Sequence, residues 1–170
     1  MAAGATYTPI QTQTLGSSTG TVSFTSIPQT YTDLVIISQI KNTTAAYLTY
    51  LIVNSGNGGL FSGTLLYGNG SSAVSQNYTG DNSYLIDRYP GGTSTTNFAI
   101  YETHIMNYSN TTTYKTALSR GNIPDGSGTA VNAGVFLLRN TAAVTTLTFS
   151  VGGGQYAAGS TFTLYGISAA

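Results

Sequence analysis

The residues able to do chemistry are few and scattered. His104 is the single histidine of the 170 residues, and Glu102 stands two positions before it, so one face of a strand carries both. Such a pair offers the start of a metal site or of an acid–base couple. A metal site needs three or four ligands, and the chain has neither a second histidine nor a cysteine. The favoured reading is a polar pair facing solvent or an interface. Asp81 and Asp87 flank Asn82 to Ile86 and carry the oxygen ligands that calcium takes, but without the regular acidic spacing of an EF-hand. A solvated turn, with Asp87 near Arg88, is the favoured reading there. Glycoside hydrolysis needs two carboxylates facing one sugar, and the five acidic residues are spread along the chain. Gly152-Gly153-Gly154 follows a strand but no helix follows it, which makes it a hairpin loop rather than a phosphate-binding loop. No catalytic residue, metal ligand or cofactor is expected, and the chain reads as no enzyme.

The thirteen tyrosines carry more information. Tyr78, Tyr84, Tyr89, Tyr108 and Tyr156 fall in predicted loops, where tyrosine supplies rigid contact area with a polar tip. Two readings stand side by side: a contact surface for neighbouring subunits or for a glycan, and a set of rings that cap the ends of a core.

Composition narrows the partners. Five acidic and five basic residues give a formal net charge of zero, so there is no electrostatic footprint for nucleic acid or an anionic membrane. A nearly uncharged surface favours association, and oligomerisation is expected to depend little on salt. The start, Met1-Ala2-Ala3-Gly4-Ala5, has no basic segment and no apolar segment of a secretory signal, and no run of about 18 apolar residues is present to insert in a membrane. Synthesis in a cytoplasm without a signal peptide is the expectation.

The elements that must position these residues are strands. Val22 and Phe24 begin one, Ile27-Pro28-Gln29 turns the chain, and Thr32 to Ile40 is a second, rich in β-branched residues. Leu34, Ile36 and Ile40 share one of its faces, Val35 and Ile37 the other, so it belongs inside a sandwich rather than at an edge. Further strands are predicted over Tyr47 to Val53, Phe61 to Tyr67, Asn97 to Met106, Tyr114 to Arg120, Val131 to Arg139, Val144 to Val151 and Thr161 to Ile167. Ser71 to Thr96, dominated by Gly, Asn, Asp and Ser, reads as a long excursion over one end of the sandwich, with a short strand at Tyr84 to Ile86 and a turn at Pro90-Gly91-Gly92. A single helical turn is compatible with Thr141 to Val144. About eight to ten short strands at this spacing predict one all-β domain, a jelly-roll-like antiparallel β-sandwich over 16–170. Residues 1–15 form an N-terminal arm or an edge strand, since Pro9 disfavours a central place.

Four segments carry a resemblance. Val22-Ser23-Phe24-Thr25-Ser26-Ile27-Pro28-Gln29-Thr30-Tyr31-Thr32-Asp33-Leu34-Val35, the turn Tyr67-Gly68-Asn69-Gly70-Ser71, Glu102 followed by Asn107-Tyr108, and the ending Gly159-Ser160-Thr161-Phe162-Thr163-Leu164-Tyr165-Gly166-Ile167 resemble a family of small virion proteins of tailed bacteriophages, seen especially in phages of aquatic bacteria. The likeness runs from about Tyr7 to Ile167, and the chain departs from it at Thr103-His104-Ile105-Met106. It implies a jelly-roll fold and a structural, non-enzymatic role on the virion surface, with homo-oligomers, trimers favoured. The implied partners are other virion proteins such as the major capsid protein. Decoration or cementing of the capsid is the leading expectation, because the chain has neither a heptad region nor a fibrous repeat, and residues 1–15 could serve as the attaching arm. The alternative is a tail-fibre or tail-associated module whose tyrosine-rich loops bind host surface glycan.

Overall fold

The computed structural model describes residues 6–44, 48–56, 58–87, 95–124 and 130–168. Among these residues there are twelve strands and no helix: β1 (Tyr7–Thr14), β2 (Thr21–Phe24), β3 (Asp33–Ile40), β4 (Thr49–Val53), β5 (Phe61–Gly68), β6 (Ala73–Asp81), β7 (Tyr84–Asp87), β8 (Ala99–Met106), β9 (Lys115–Ile123), β10 (Ala130–Leu138), β11 (Leu147–Val151) and β12 (Thr161–Ile167). They form an eight-stranded sheet in the order β1-β12-β3-β8-β9-β10-β5-β6 and a four-stranded sheet in the order β2-β11-β4-β7, with every pairing antiparallel.

Setting aside the hairpins β5–β6 and β9–β10 leaves β1-β12-β3-β8 in one sheet and β2-β11-β4-β7 in the other, with the chain alternating between sheets from β1 to β4. That is a jelly roll of two Greek keys. The two hairpins are insertions, between β4 and β7 and between β8 and β11, and both lengthen the same sheet. The sandwich core lies between the small sheet (Val22, Phe24, Leu51, Val53, Leu147, Phe149) and the inner faces of β3, β8 and β12. A second part of the core lies where the extension meets β7. There Tyr84 packs edge-on against Phe61, ring centroids 4.5 Å apart, and against Phe136 at 5.3 Å.

Central placement of β3 follows from its two apolar faces: it pairs with β12 on one side and β8 on the other, burying Leu34, Ile36 and Ile40 inward and Val35 outward. Strand glycines have a packing reason. Gly121 lies opposite Tyr101, and Gly63 opposite Phe136, and in each case a Cβ would overlap the facing ring. Each aromatic ring thus fills the place of the missing side chain.

Several expectations are corrected. The excursion read over Ser71 to Thr96 contains a nine-residue strand, β6. The cause is the Asn69 turn: its Oδ1 accepts the backbone N–H of Ser71 and of Ser72, each at 3.0 Å, and closes a hairpin that lends β6 the ladder of β5. Thr141 to Val144 is not helical, because neighbours claim its backbone groups: Asn54 Nδ2 donates to the Ala143 carbonyl at 2.7 Å, and the Val144 N–H donates to the Tyr108 carbonyl at 2.9 Å. The glycine-rich loop after β11 is no hairpin, since β11 and β12 lie in different sheets and the loop crosses between them. Of the two readings of residues 1–15, arm or edge strand, Tyr7–Thr14 takes the second: it is edge strand β1, hydrogen-bonded along β12. The turn at Pro90-Gly91-Gly92 lies outside the described residues.

Candidate interaction surface

Register decides which side chains the large sheet turns outward. On β8, Ala99, Tyr101, Thr103 and Ile105 are buried, while Ile100, Glu102 and His104 look away from the core. On β9 and β10 the same alternation turns Leu118, Arg120, Val131, Ala133 and Val135 outward, and on β5 Thr64 and Leu66 join them. Ile37, Leu66, Ile100, Leu118, Val131 and Val135 are each between 40% and 61% exposed. Together they give this face an aliphatic character, and exposed apolar surface of this kind is often functional on soluble monomers. The surface is dimpled by a depression of about 440 Å³ lined by Thr64, Leu66, Glu102, His104, Leu118 and Val135, with a second of about 670 Å³ beside it over Leu66, Ser75 and Val131.

The polar side chains on this face are paired with one another. Arg120 Nη2 donates to Glu102 Oε2 at 2.9 Å, and His104 Nε2 lies 3.0 Å from Asp33 Oδ2. Asp33 Oδ1 also accepts the N–H of Asn107 at 2.6 Å, which fixes the exit of β8, where Asn107 takes a positive φ of 52°. Glu102 and His104 therefore share a face as their spacing requires, but each has its own partner. They form no acid–base couple with one another.

Of the tyrosines read as a contact surface, Tyr84, Tyr108 and Tyr156 are fully buried. Tyr84 joins the second core, Tyr108 donates its hydroxyl to the Pro28 carbonyl, and Tyr156 packs edge-on against Phe162 with centroids 5.2 Å apart. Burial raises the phenol pKa of both Tyr84 and Tyr108 above the ordinary range. These three rings cap the core and are withdrawn from the contact surface. Tyr78 is half-buried on β6, its hydroxyl donating to Gln76 Oε1 at 2.7 Å, and Tyr89 lies outside the described residues. Asp81 ends β6 and Asp87 ends β7; among the described residues no three His, Cys, Asp or Glu side chains come together as a metal site.

Two features escaped the sequence reading. The outer apolar face had a signal in β10, where Val131 and Val135 occupy one phase and Phe136 and Leu138 the other, so the strand is apolar on both sides. Lys115 had none. It is buried, and its Nζ donates to the carbonyls of Thr113 at 2.8 Å and Thr141 at 3.1 Å. Burial lowers its pKa, and its role is to tie the turn before β9 to the segment after β10.

No protein-family model matches the chain, and no curated protein matches it. Among solved structures it is similar to the protein of unknown function SO2946 from Shewanella oneidensis MR-1, at 12% identity over 98% of this chain and 77% of that one, with a TM-score of 0.25.

Proposed function

We propose that this chain is a non-enzymatic structural subunit of a tailed-phage virion, a capsid decoration protein that docks on the shell through the outer face of its eight-stranded sheet. The observation that carries the reading is that face: exposed aliphatic residues around an internally neutralised Glu102–Arg120 pair, on a chain of zero net charge. Apolar area of this kind gains free energy when covered, and many weak copies on one particle sum to a large effect. The resemblance along Tyr7 to Ile167 supplies the virion context. The rival reading, a tail module binding host glycan, drew on the tyrosine-rich loops, and burial of Tyr84, Tyr108 and Tyr156 takes most of that support away.

The test is the protein's position on purified particles, by labelled-antibody electron microscopy with gel densitometry, together with Val131→Lys and Leu66→Lys variants. Copies spread over the whole head, lost in both variants, are the expected outcome. A few copies confined to the tail overturn the decoration reading in favour of a fibre component.

A further inference from the structure

The eight-stranded sheet ends in two unlike edges. At one, β1 carries Pro9, and its register against β12 shifts between Pro9 and Gln11. Proline and a bulge are devices by which sheets blunt an edge against further pairing. At the other, β6 pairs with β5 in unbroken register from Ala73 to Thr79, and no described strand lies along its outer side. Ala73–Asp81 holds no proline, lysine or arginine, its single charge is Asp81 at the far end, and every residue of it is exposed or half-exposed. Among the described residues none of these protections lies along 73–79, and the one register shift of β6 falls beyond them, at Gly80.

We propose that β6 pairs antiparallel with the β6 of a second copy across a two-fold axis at Gln76. The strand is self-complementary in that register. Val74 stands opposite the partner's Tyr78, an aromatic–β-branched pair, while Ser75 stands opposite the partner's Asn77, and Gln76 meets its own copy. Val74, 41% exposed in the single chain, is covered by this pairing. Registers centred on Ser75 or Asn77 leave Val74 opposite Gln76 or Gly80 and lose that contact. Opposite residues of an antiparallel pair point to the same side, so this axis runs normal to the sheet and turns both outer apolar faces the same way. Because β1 is blocked, pairing closes at two copies instead of growing into a fibre. The pairing belongs to the free chain and stands independently of what the outer face docks on.

The chain has no cysteine, so a single substitution supplies a clean probe. Under mild oxidation Gln76→Cys should give a covalent dimer. Asn77→Cys should not, because its two copies lie beyond the roughly 7 Å Cα separation a disulfide spans. In sedimentation velocity over a concentration series, the wild-type chain should dimerise and Val74→Lys should remain monomeric with the melting temperature of the dilute, monomeric wild-type chain, while Leu66→Lys still dimerises. A wild-type chain that stays monomeric, a cross-link that forms equally at Asn77→Cys, or a dimer lost in Leu66→Lys but kept in Val74→Lys overturns the proposal.

Discussion

The two faces of the eight-stranded sheet are built from similar residues and differ in what lies over them. Inward, Leu34, Ile36, Ile105, Leu65 and Phe136 meet the small sheet or β7 and are closed off from water. Outward, Ile37, Ile100, Leu118, Val131, Val135 and Leu66 follow the same strands in the opposite phase and stay about half exposed. Side-chain chemistry alone therefore does not make a core here; a covering layer does. The jelly-roll half carries that layer through β2, β11, β4 and β7, and the hairpin insertions reach beyond it.

The largest effect that breaks this contrast belongs to Phe136→Ala. It removes a ring packed at a tilt against Tyr84 and set over Gly63, and should cost about 3–5 kcal/mol in denaturant unfolding. A loss below about 1 kcal/mol would mean that the extension does not share the core. Next comes Gly121→Ala, whose Cβ meets the Tyr101 ring; overpacking should destabilise by about 1–3 kcal/mol, and Gly121→Ala combined with Tyr101→Leu should recover part of it.

Tyr84→Phe sharpens the comparison through pH. The Tyr84 hydroxyl is buried and has no hydrogen-bond partner, so its removal should leave neutral-pH stability within about 1 kcal/mol or raise it. Burial raises the folded-state pKa above the unfolded one, so the contribution of the neutral phenol is fully present below the ordinary phenol range and is lost as pH rises from that range towards the raised folded-state value. Melting temperature followed into the alkaline range should therefore fall more steeply in the wild type than in Tyr84→Phe. Equal slopes would place Tyr84 in contact with water. The smallest effect is expected outward: Arg120→Ala breaks an exposed pair and should change stability by less than about 0.5 kcal/mol, as should Val135→Thr on the same face. A cost above about 2 kcal/mol at either position would show that the outer face is already covered within the folded chain.

Much of the sandwich was legible from periodicity. The period-2 pattern over Thr32 to Ile40 and over Asn97 to Met106 marked two central strands and both of their faces, because alternation in a strand is a local property of the backbone. Strand β6 was not legible, since in Ala73–Asp81 only Val74 and Tyr78 stand out from small and polar residues, and the strand owes its shape to the Asn69 turn and the β5 ladder. Tyrosines misled for a related reason: Tyr108 and Tyr156 do sit outside the strands, but loops that cross the ends of a sandwich lay their rings over its core.

By itself the amino-acid sequence determined that this is an all-β chain of zero formal net charge, with no cysteine and with a lone histidine, since composition and alternation are properties of single residues and their immediate neighbours. Only the tertiary structure decided that Glu102 belongs with Arg120 and His104 with Asp33, that three tyrosines are core, and that two hairpins extend one sheet to an unprotected edge. The physical reason is range. A strand's faces follow from its own residues, whereas what covers each face, and what pairs with each edge, is settled by strands tens of residues away in the chain.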